Sequence, residues 1–229
     1  MMLSAIVVAA GLGRRLKTAT PKPLVKIGNF PAITYSLKIF DQHPKIDEII
    51  VVVNAKNQRA IIQLISKYSF KKIKSFVLGG KLRQDSVYNG IKMISENSDW
   101  VLIHDSARPF IGRQAISRVI LAAKKTGAAI LAVRPKATIK FAQKNNIVKN
   151  TLDRNGLWEV QTPQVFKKEL ILQAYKKYGK SRVTDDSALV EKLGVKVSIV
   201  QGSYENIKIT TAEDLLFAGL IAERLKYAI

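Results

Sequence analysis

At 229 residues, with 47% hydrophobic and 24% charged side chains, the chain has the make-up of a soluble globular protein long enough to bury a sizeable core. Cysteine is absent, which excludes disulfides, thiolate zinc centres and cysteine nucleophiles; His43 and His104 are too few for a histidine-built metal site. The formal net charge of +21 invites nucleic acid or acidic small molecules as partners, and no recognised nucleic-acid motif accompanies it.

In chain order, Ser4–Ala9, Glu48–Val53, Ser75–Leu78, Trp100–His104 and Ala128–Val133 read as buried parallel strands. Between them, Ala32–Phe40, Gln58–Tyr68, Asp85–Ser95 and Arg113–Lys125 carry helical spacing. This alternation predicts a doubly wound, Rossmann-like α/β sheet, mostly parallel, with ligands at the strand C-terminal ends. The rhythm breaks after Val133. Thr138–Ala142 and Ile147–Thr151, separated by Gln143-Lys144-Asn145-Asn146, predict a β-hairpin arm within residues 134–161 of a single 1–229 domain. An isolated hairpin is marginal in water, which points to packing against something such as a second subunit. Helices at Lys167–Lys177 and Asp185–Leu193, a strand at Lys196–Val200 and a helix from about Thr211 complete the pattern. Thr210 and Glu213 have capping-box spacing there.

The first forty residues hold six basic side chains and no carboxylate; the first acid is Asp41. Within them Ala9-Ala10-Gly11-Leu12-Gly13-Arg14-Arg15 follows the first strand. Glycines let backbone N–H groups approach phosphate oxygens, and the cations neutralise them. The turn is not a dinucleotide fingerprint: Leu16 stands at the third glycine position, and the second strand ends in Val53-Asn54 without the acid a ribose diol needs. Arg14, Arg15, Lys17 and Lys22 are the candidate phosphate cations. Pro21 and Pro23 keep Lys22 on a shaped loop rather than a helix face.

His104-Asp105-Ser106-Ala107-Arg108-Pro109 follows the fourth strand. A carboxylate at that strand tip suits a divalent cation or a substrate hydroxyl, while Arg108 reads as ordering the loop or pairing with Asp105. In Gly79-Gly80-Lys81-Leu82-Arg83-Gln84-Asp85-Ser86, Asp85 or Ser86 is placed to cap a helix, and Ser86 equally to meet a base or ribose. Asp153-Arg154-Asn155-Gly156-Leu157-Trp158 and Tyr204-Glu205-Asn206-Ile207-Lys208-Ile209-Thr210 each add one more cation.

Together these stretches, in order from Ile6 to Ala222, resemble the 2-C-methyl-D-erythritol 4-phosphate cytidylyltransferases of the non-mevalonate isoprenoid pathway. The resemblance implies attack of the substrate phosphate on the α-phosphorus of CTP, with Mg²⁺ or another divalent cation bridging phosphate oxygens. It places Arg15 and Lys22 at the transition state, and Arg154 and Lys208 where they position the methylerythritol phosphate. It assigns Ala9, Ala10, Gly11, Leu12, Gly13, Gly80, Ser86, Asp105 and Ala107 to CTP. Asp105, Arg108, Thr138 and Thr162 join Arg154 and Lys208 around the second substrate, and Asp105 is the candidate metal ligand. The arm of the family crosses a homodimer, so Arg154 is expected to serve the neighbouring subunit. Where the family usually carries Asp-Thr-Ile-Lys on the arm, this chain has Ala137-Thr138-Ile139-Lys140.

The nearest alternative is the sister enzyme that cytidylylates ribitol 5-phosphate on the same fold; the stretch Asp153–Trp158 looks like the methylerythritol type. A non-enzymatic RNA-binding protein would account for the charge. It would not account for cations concentrated at strand ends around Asp105, and pairs such as Lys71-Lys72 and Lys176-Lys177 read as a solvated basic surface. No apolar run reaches the length of a membrane span, and the N-terminus enters a strand pattern. A cytoplasmic protein with no nucleic-acid or membrane partner is therefore expected.

Overall fold

The computed structural model describes residues 1–11, 13–16, 18 and 20–225. β1 (Met2–Ala9) is followed by a short antiparallel pair, β2 (Lys26–Ile27) and β3 (Phe30–Pro31), and by α1 (Ala32–Gln42). Three strand–helix units come next: β4 (Glu48–Val53) with α2 (Gln58–Ile65), β5 (Ile73–Leu78) with α3 (Arg83–Ile91), and β6 (Ser98–Asp105) with α4 (Arg113–Thr126). β7 (Ala128–Val133) precedes the hairpin of β8 (Lys140–Ala142) and β9 (Val148–Thr151). Then come β10 (Glu159–Lys167), α5 (Lys168–Tyr178), α6 (Ser187–Glu191), β11 (Ser198–Gln201) and α7 (Ala212–Arg224).

Seven strands form one sheet in the order β11-β7-β10-β6-β1-β4-β5. All are parallel except β10, which runs antiparallel to both β6 and β7. Strands covered on both faces need no polar alternation, which is why β4 and β7 are apolar almost throughout and buried along their whole length. One face of the sheet packs on α1, α2 and α4 through Leu37, Phe40, Ile61, Ile116 and Ile120. The other packs on α3, α5 and α6 through Val87, Ile91, Ile171 and Leu189. A third cluster joins Leu16, Tyr35, Phe110, Ile209 and Ala218, tying the first glycine turn to the segment that enters α7. No described helix is long and apolar enough to cross a membrane.

The doubly wound sheet agrees with the sequence reading, with two corrections in detail. β10 was not expected as a strand: its middle is Gln161-Thr162-Pro163-Gln164, where polar side chains and an imino acid mask the period of two. It lies between β6 and β7 all the same, with a register shift between Val160 and Gln164, so residues 159–161 belong to the main sheet. The α7 cap sits one residue later than the Thr210–Glu213 spacing suggests. Thr211 is the N-cap, and Asp214 accepts from its N–H at 2.9 Å. The hairpin stands apart from the sheet, with β8 and β9 exposed along their whole length.

The closeness of α3 to the sheet depends on Gly90, where a Cβ would stand 2.6 Å from Ile6 Cγ2 and 3.0 Å from Val52 Cγ2. Gly90→Ala is expected to destabilise by about 1–3 kcal/mol through overpacking, despite the better helix propensity of alanine. Gly219→Ala in α7, where a Cβ meets nothing within 4 Å, is expected to stabilise by about 0.5–1 kcal/mol. Urea unfolding of the two variants checks the opposite signs.

Candidate active site

A cleft of about 650 Å³ opens at the C-terminal ends of β1, β4 and β6. Its floor is the turn leaving β1. Gly13 there has φ of +63°, and a Cβ would lie 2.8 Å from Lys22 Cβ, so only glycine lets the Lys22 segment close over the turn. Lys22 opens a single 3-10 turn, Lys22–Leu24, set by Pro21 and Pro23. Arg15 lies on the short turn Arg14–Leu16, whose Leu16 is anchored in the same cluster as Ile209. That shared anchor brings Arg15 and Lys22 to the same cleft as Lys208, far along the chain.

One wall is the loop after β5. Ser86 accepts from the Gly80 N–H and donates to the Leu82 carbonyl, each at 3.1 Å, so it shapes this loop from inside α3. It does not cap the helix; Asp85 does so in part, accepting from the Leu82 N–H at 2.9 Å. A Cβ on Gly79 would collide with Ala10 and Ser86, so Gly79 permits the β5 loop to meet the β1 turn.

Asp105, at the tip of β6, takes two cations at once. Arg83 Nε donates to its Oδ1 at 2.9 Å, and Lys208 Nζ donates to its Oδ2 at 2.6 Å. Burial alone would raise this carboxyl's pKa, but Arg83 and Lys208 outweigh it and hold the group well below the usual carboxylate range. Lys22 shows the opposite balance. Burial first, and then the nearby charge of Lys208, push its ammonium down to about 8, with Arg15 adding to them and Asp105 and Asp214 pulling the other way. Behind the site His104 is fully buried, pushed down to about 4 by that burial, and bonded to the Arg108 carbonyl and the Thr162 hydroxyl. It is neutral and packs its ring edge on Phe40.

The cleft thus gathers Arg15, Lys22, Lys208 and Asp105 with Ala9, Ala10, Gly11, Gly13, Gly80, Ser86 and Ala107. Leu12 and Lys17 lie outside the described residues, as does the side chain of Arg14. The other expected residues lie outside the cleft lining. Arg108 points away from the cleft lining and binds the carbonyls of Asn206 and Val160 at 2.7 and 3.2 Å, so it orders the loop, and it makes no ion pair with Asp105. Thr162 is buried under Asp105, accepting its N–H at 3.0 Å. Arg154 caps the Lys136 carbonyl at the base of the arm, in a separate cationic hollow with Arg134 and Lys136, and Thr138 is exposed on the arm. Arg83 is the residue that the sequence reading did not select. Its signal was present in the Gly79–Ser86 loop, but nothing local in the sequence shows that its charge is aimed at Asp105.

A doubly wound sheet with a glycine turn, a cluster of cations and a shared carboxylate at its strand ends defines an enzyme fold for nucleotide and phosphate chemistry. The family model described as 2-C-methyl-D-erythritol 4-phosphate cytidylyltransferase matches residues 3–224, and the chain belongs to that family. It is 43% identical to the enzyme of that name from Shouchella clausii over 227 residues, covering 98% of both chains. Its identity to the Geobacillus thermodenitrificans enzyme of the same name is also 43%, covering 98% of this chain and 99% of that one. Among solved structures, the 4-diphosphocytidyl-2C-methyl-D-erythritol synthase of Anaerococcus prevotii superposes with a TM-score of 0.87 at 36% identity, covering 97% of this chain and 96% of that one.

The depressed pKa of Lys22 has a consequence independent of catalysis. At pH 7.5 roughly a quarter of Lys22 is the free amine, against about 0.1% for an ordinary lysine. Limited acylation at that pH, read by peptide mass spectrometry, is expected to modify Lys22 well ahead of exposed lysines such as Lys56. Equal labelling of the two would contradict the assignment.

Proposed function

We propose that the cleft transfers the cytidylyl group of CTP to 2-C-methyl-D-erythritol 4-phosphate, giving 4-diphosphocytidyl-2-C-methyl-D-erythritol and pyrophosphate. The family membership supports the substrates. The observation that carries the site assignment is the convergence of Arg15, Lys22 and Lys208 on one cleft above Asp105. An oxygen of the methylerythritol phosphate attacks the α-phosphorus, and the bond from that phosphorus to the pyrophosphate oxygen breaks in line. Negative charge spreads over the oxygens of this phosphorus, so the protein contributes positioning and electrostatic stabilisation. In this reading the backbone of Ala10, Gly11 and Gly13 approaches the triphosphate, and Arg15 and Lys22 meet the developing charge. Ala9, Leu12, Gly80, Ser86 and Ala107 complete the nucleotide site.

The donor set fits a divalent cation carried mainly by the nucleotide. Asp105 is the one carboxylate lining the cleft among the described residues, and no described cluster of three or more His, Asp or Glu side chains exists to cage a metal. Mg²⁺ needs few protein ligands when phosphate oxygens and water supply the rest, and it would neutralise phosphate charge there. Asp105 and Lys208 would hold the second substrate's end of the cleft, with Thr162 supporting Asp105 from beneath.

The arm is read as completing a neighbour's site in a homodimer. Arg154 and Thr138 lie outside the cleft of their own subunit, and the hairpin exposes Phe141, Ile147 and Val148, which a lone hairpin cannot cover. Ala137, where the family usually has Asp, is exposed on this arm. A cytoplasmic location, where nucleoside triphosphates are available, belongs to the same reading. The relatives reported above carry the methylerythritol name, and no observation favours ribitol phosphate or an RNA-binding role.

Pyrophosphate release from CTP and Mg²⁺ is expected with methylerythritol phosphate and not with ribitol 5-phosphate; the reverse preference would move the chain to the sister activity. Lys22→Ala is expected to lower turnover by about 100- to 1000-fold with an unchanged fold by circular dichroism. Arg154→Ala is expected to be similarly impaired. Mixing these two inactive variants under subunit exchange is expected to restore about a quarter of wild-type activity. Half the dimers are then heterodimers, and one of their two sites combines an intact Lys22 with an intact Arg154. No recovery on verified subunit exchange would place Arg154 in its own subunit's site or in none.

A further inference from the structure

The ion pair between Asp105 and Arg83 is the visible end of a longer chain of charge that runs out of the cleft into the core. Arg83 donates through Nε to Asp105 and through Nη1 to Asp186, at 2.9 and 2.8 Å. Tyr175 Oη donates to the other Asp186 oxygen at 2.6 Å. With Lys208 on the outer oxygen of Asp105, acid and base alternate from Asp186 to Lys208 and their four charges sum to zero. Asp186 is 1% exposed and is no part of the cleft wall.

Asp186 stands at the N-cap of α6, yet its side chain makes no capping bond. The ordinary employment of aspartate at a helix start is therefore set aside, and the carboxylate is turned inward to Arg83 and Tyr175. Its turn is held from two sides. On β10, Gln164 Oε1 accepts the N–H groups of Asp186 and Ser187 at 3.2 Å each, while Nε2 donates to Asp185 at 2.7 Å. On α3, Gln84, next to Arg83, donates to the carbonyls of Gly179 and Ser181 at 2.6 and 3.1 Å. The rings of Tyr175 and Tyr88 stack with centroids 5.3 Å apart. These clamps fix the distance between the Asp186 turn and the start of α3.

A guanidinium facing one carboxylate prefers to close on it with two parallel bonds, which would engage both Asp105 oxygens. The Asp186 bond to Nη1 instead fixes the orientation of the guanidinium, and in that orientation Nε bonds Asp105 Oδ1 while Oδ2 accepts from Lys208. We propose that Asp186, held by Tyr175 and Gln164, is a positioning residue for the transfer reaction, keeping Arg83 shared so that Asp105 can fix the Lys208 ammonium in the cleft. This rests on reading the cleft as the cytidylyl-transfer site.

Without the Asp186 charge, Arg83 is free to turn toward both Asp105 oxygens and compete with Lys208 for Oδ2, and the cluster gains one net positive charge. Lys22, which faces Lys208, Arg15, Asp105 and Asp214, then loses its proton at lower pH. The test measures pyrophosphate release from about pH 6 to 10 for wild type, Asp186→Asn, Tyr175→Phe and Leu189→Ala. Leu189, fully buried on α6 in the apolar core, is the control for structural damage. Asp186→Asn is expected to lower kcat/KM at pH 7 by about ten- to a hundredfold, mainly through KM for methylerythritol phosphate, and to move the alkaline limb to lower pH. Tyr175→Phe is expected to move both in the same direction by less. Leu189→Ala is expected to lower the melting temperature and leave the limb in place.

A folded Asp186→Asn enzyme with the wild-type limb and kcat/KM overturns the proposal. So does one that differs from wild type only as Leu189→Ala does. If Asp186→Asn fails to fold, Tyr175→Phe decides on the same readouts, and a wild-type profile for it counts against. A wild-type protein that releases no pyrophosphate defeats the reaction itself, and the proposal with it.

Discussion

The carboxylate of Asp105 is the point on which the cleft is organised. It sits at the tip of β6, buried, and a buried carboxylate is tolerated only when paired and hydrogen-bonded. Its two cations arrive from separate parts of the chain, Arg83 from the start of α3 and Lys208 from the segment before α7. Thr162 of β10 bonds its N–H, and the neutral His104 bonds the same hydroxyl from behind. Without that carboxylate, nothing else in the cleft would compensate two cations held so close to Lys22.

The same arrangement explains how so basic a cleft is tolerated. Arg15, Lys22, Lys81, Arg83 and Lys208 line one cavity with Asp105 as the single lining carboxylate among the described residues, so the repulsion between neighbouring cations is large at short range. Two responses relieve it. Arg83 and Lys208 are neutralised by Asp105, with Asp186 taking the second face of Arg83. Lys22 has no ion pair among the described contacts, and burial, followed by the charge of Lys208, loosens its proton. A polyanion entering the cleft therefore finds donors already desolvated and aimed, and its charge raises the proton affinity of Lys22. The net charge of +21 is thus in small part functional, while most of it lies on solvated lysines distant from the cleft.

Sequence patterning made the parallel half of the sheet legible because strands such as β4 and β7, buried on both faces, are nearly continuous apolar runs. The antiparallel strand escaped for the converse reason. β10 uses Gln161, Thr162 and Gln164 to bond the loops at the sheet's end, and those polar side chains break the period that would announce a strand. Glycine turns and strand-end acids were legible as site elements, since Gly13 and Asp105 belong to local chemistry. Arg83 and Asp186 were not, because their function is a contact between residues 103 apart in the chain, and no local pattern encodes such a pairing.

The arm raises the complementary problem, a segment whose composition is legible but whose packing surface is not. Between Arg134 and Leu152 it carries five cations and no carboxylate, and Phe141, Ile147 and Val148 are exposed. A hairpin of this kind gains little stability from its own two strands. Its base is nonetheless firmly held: the Arg134 guanidinium stacks over Trp158 at 4.0 Å, and Lys136 Nζ lies over the Tyr204 ring at 3.9 Å. A rigid base under an uncovered tip is the arrangement expected of an element that carries side chains to another surface at a defined angle. The Arg154–Lys136 carbonyl bond belongs to this base and holds the guanidinium at the root of the arm.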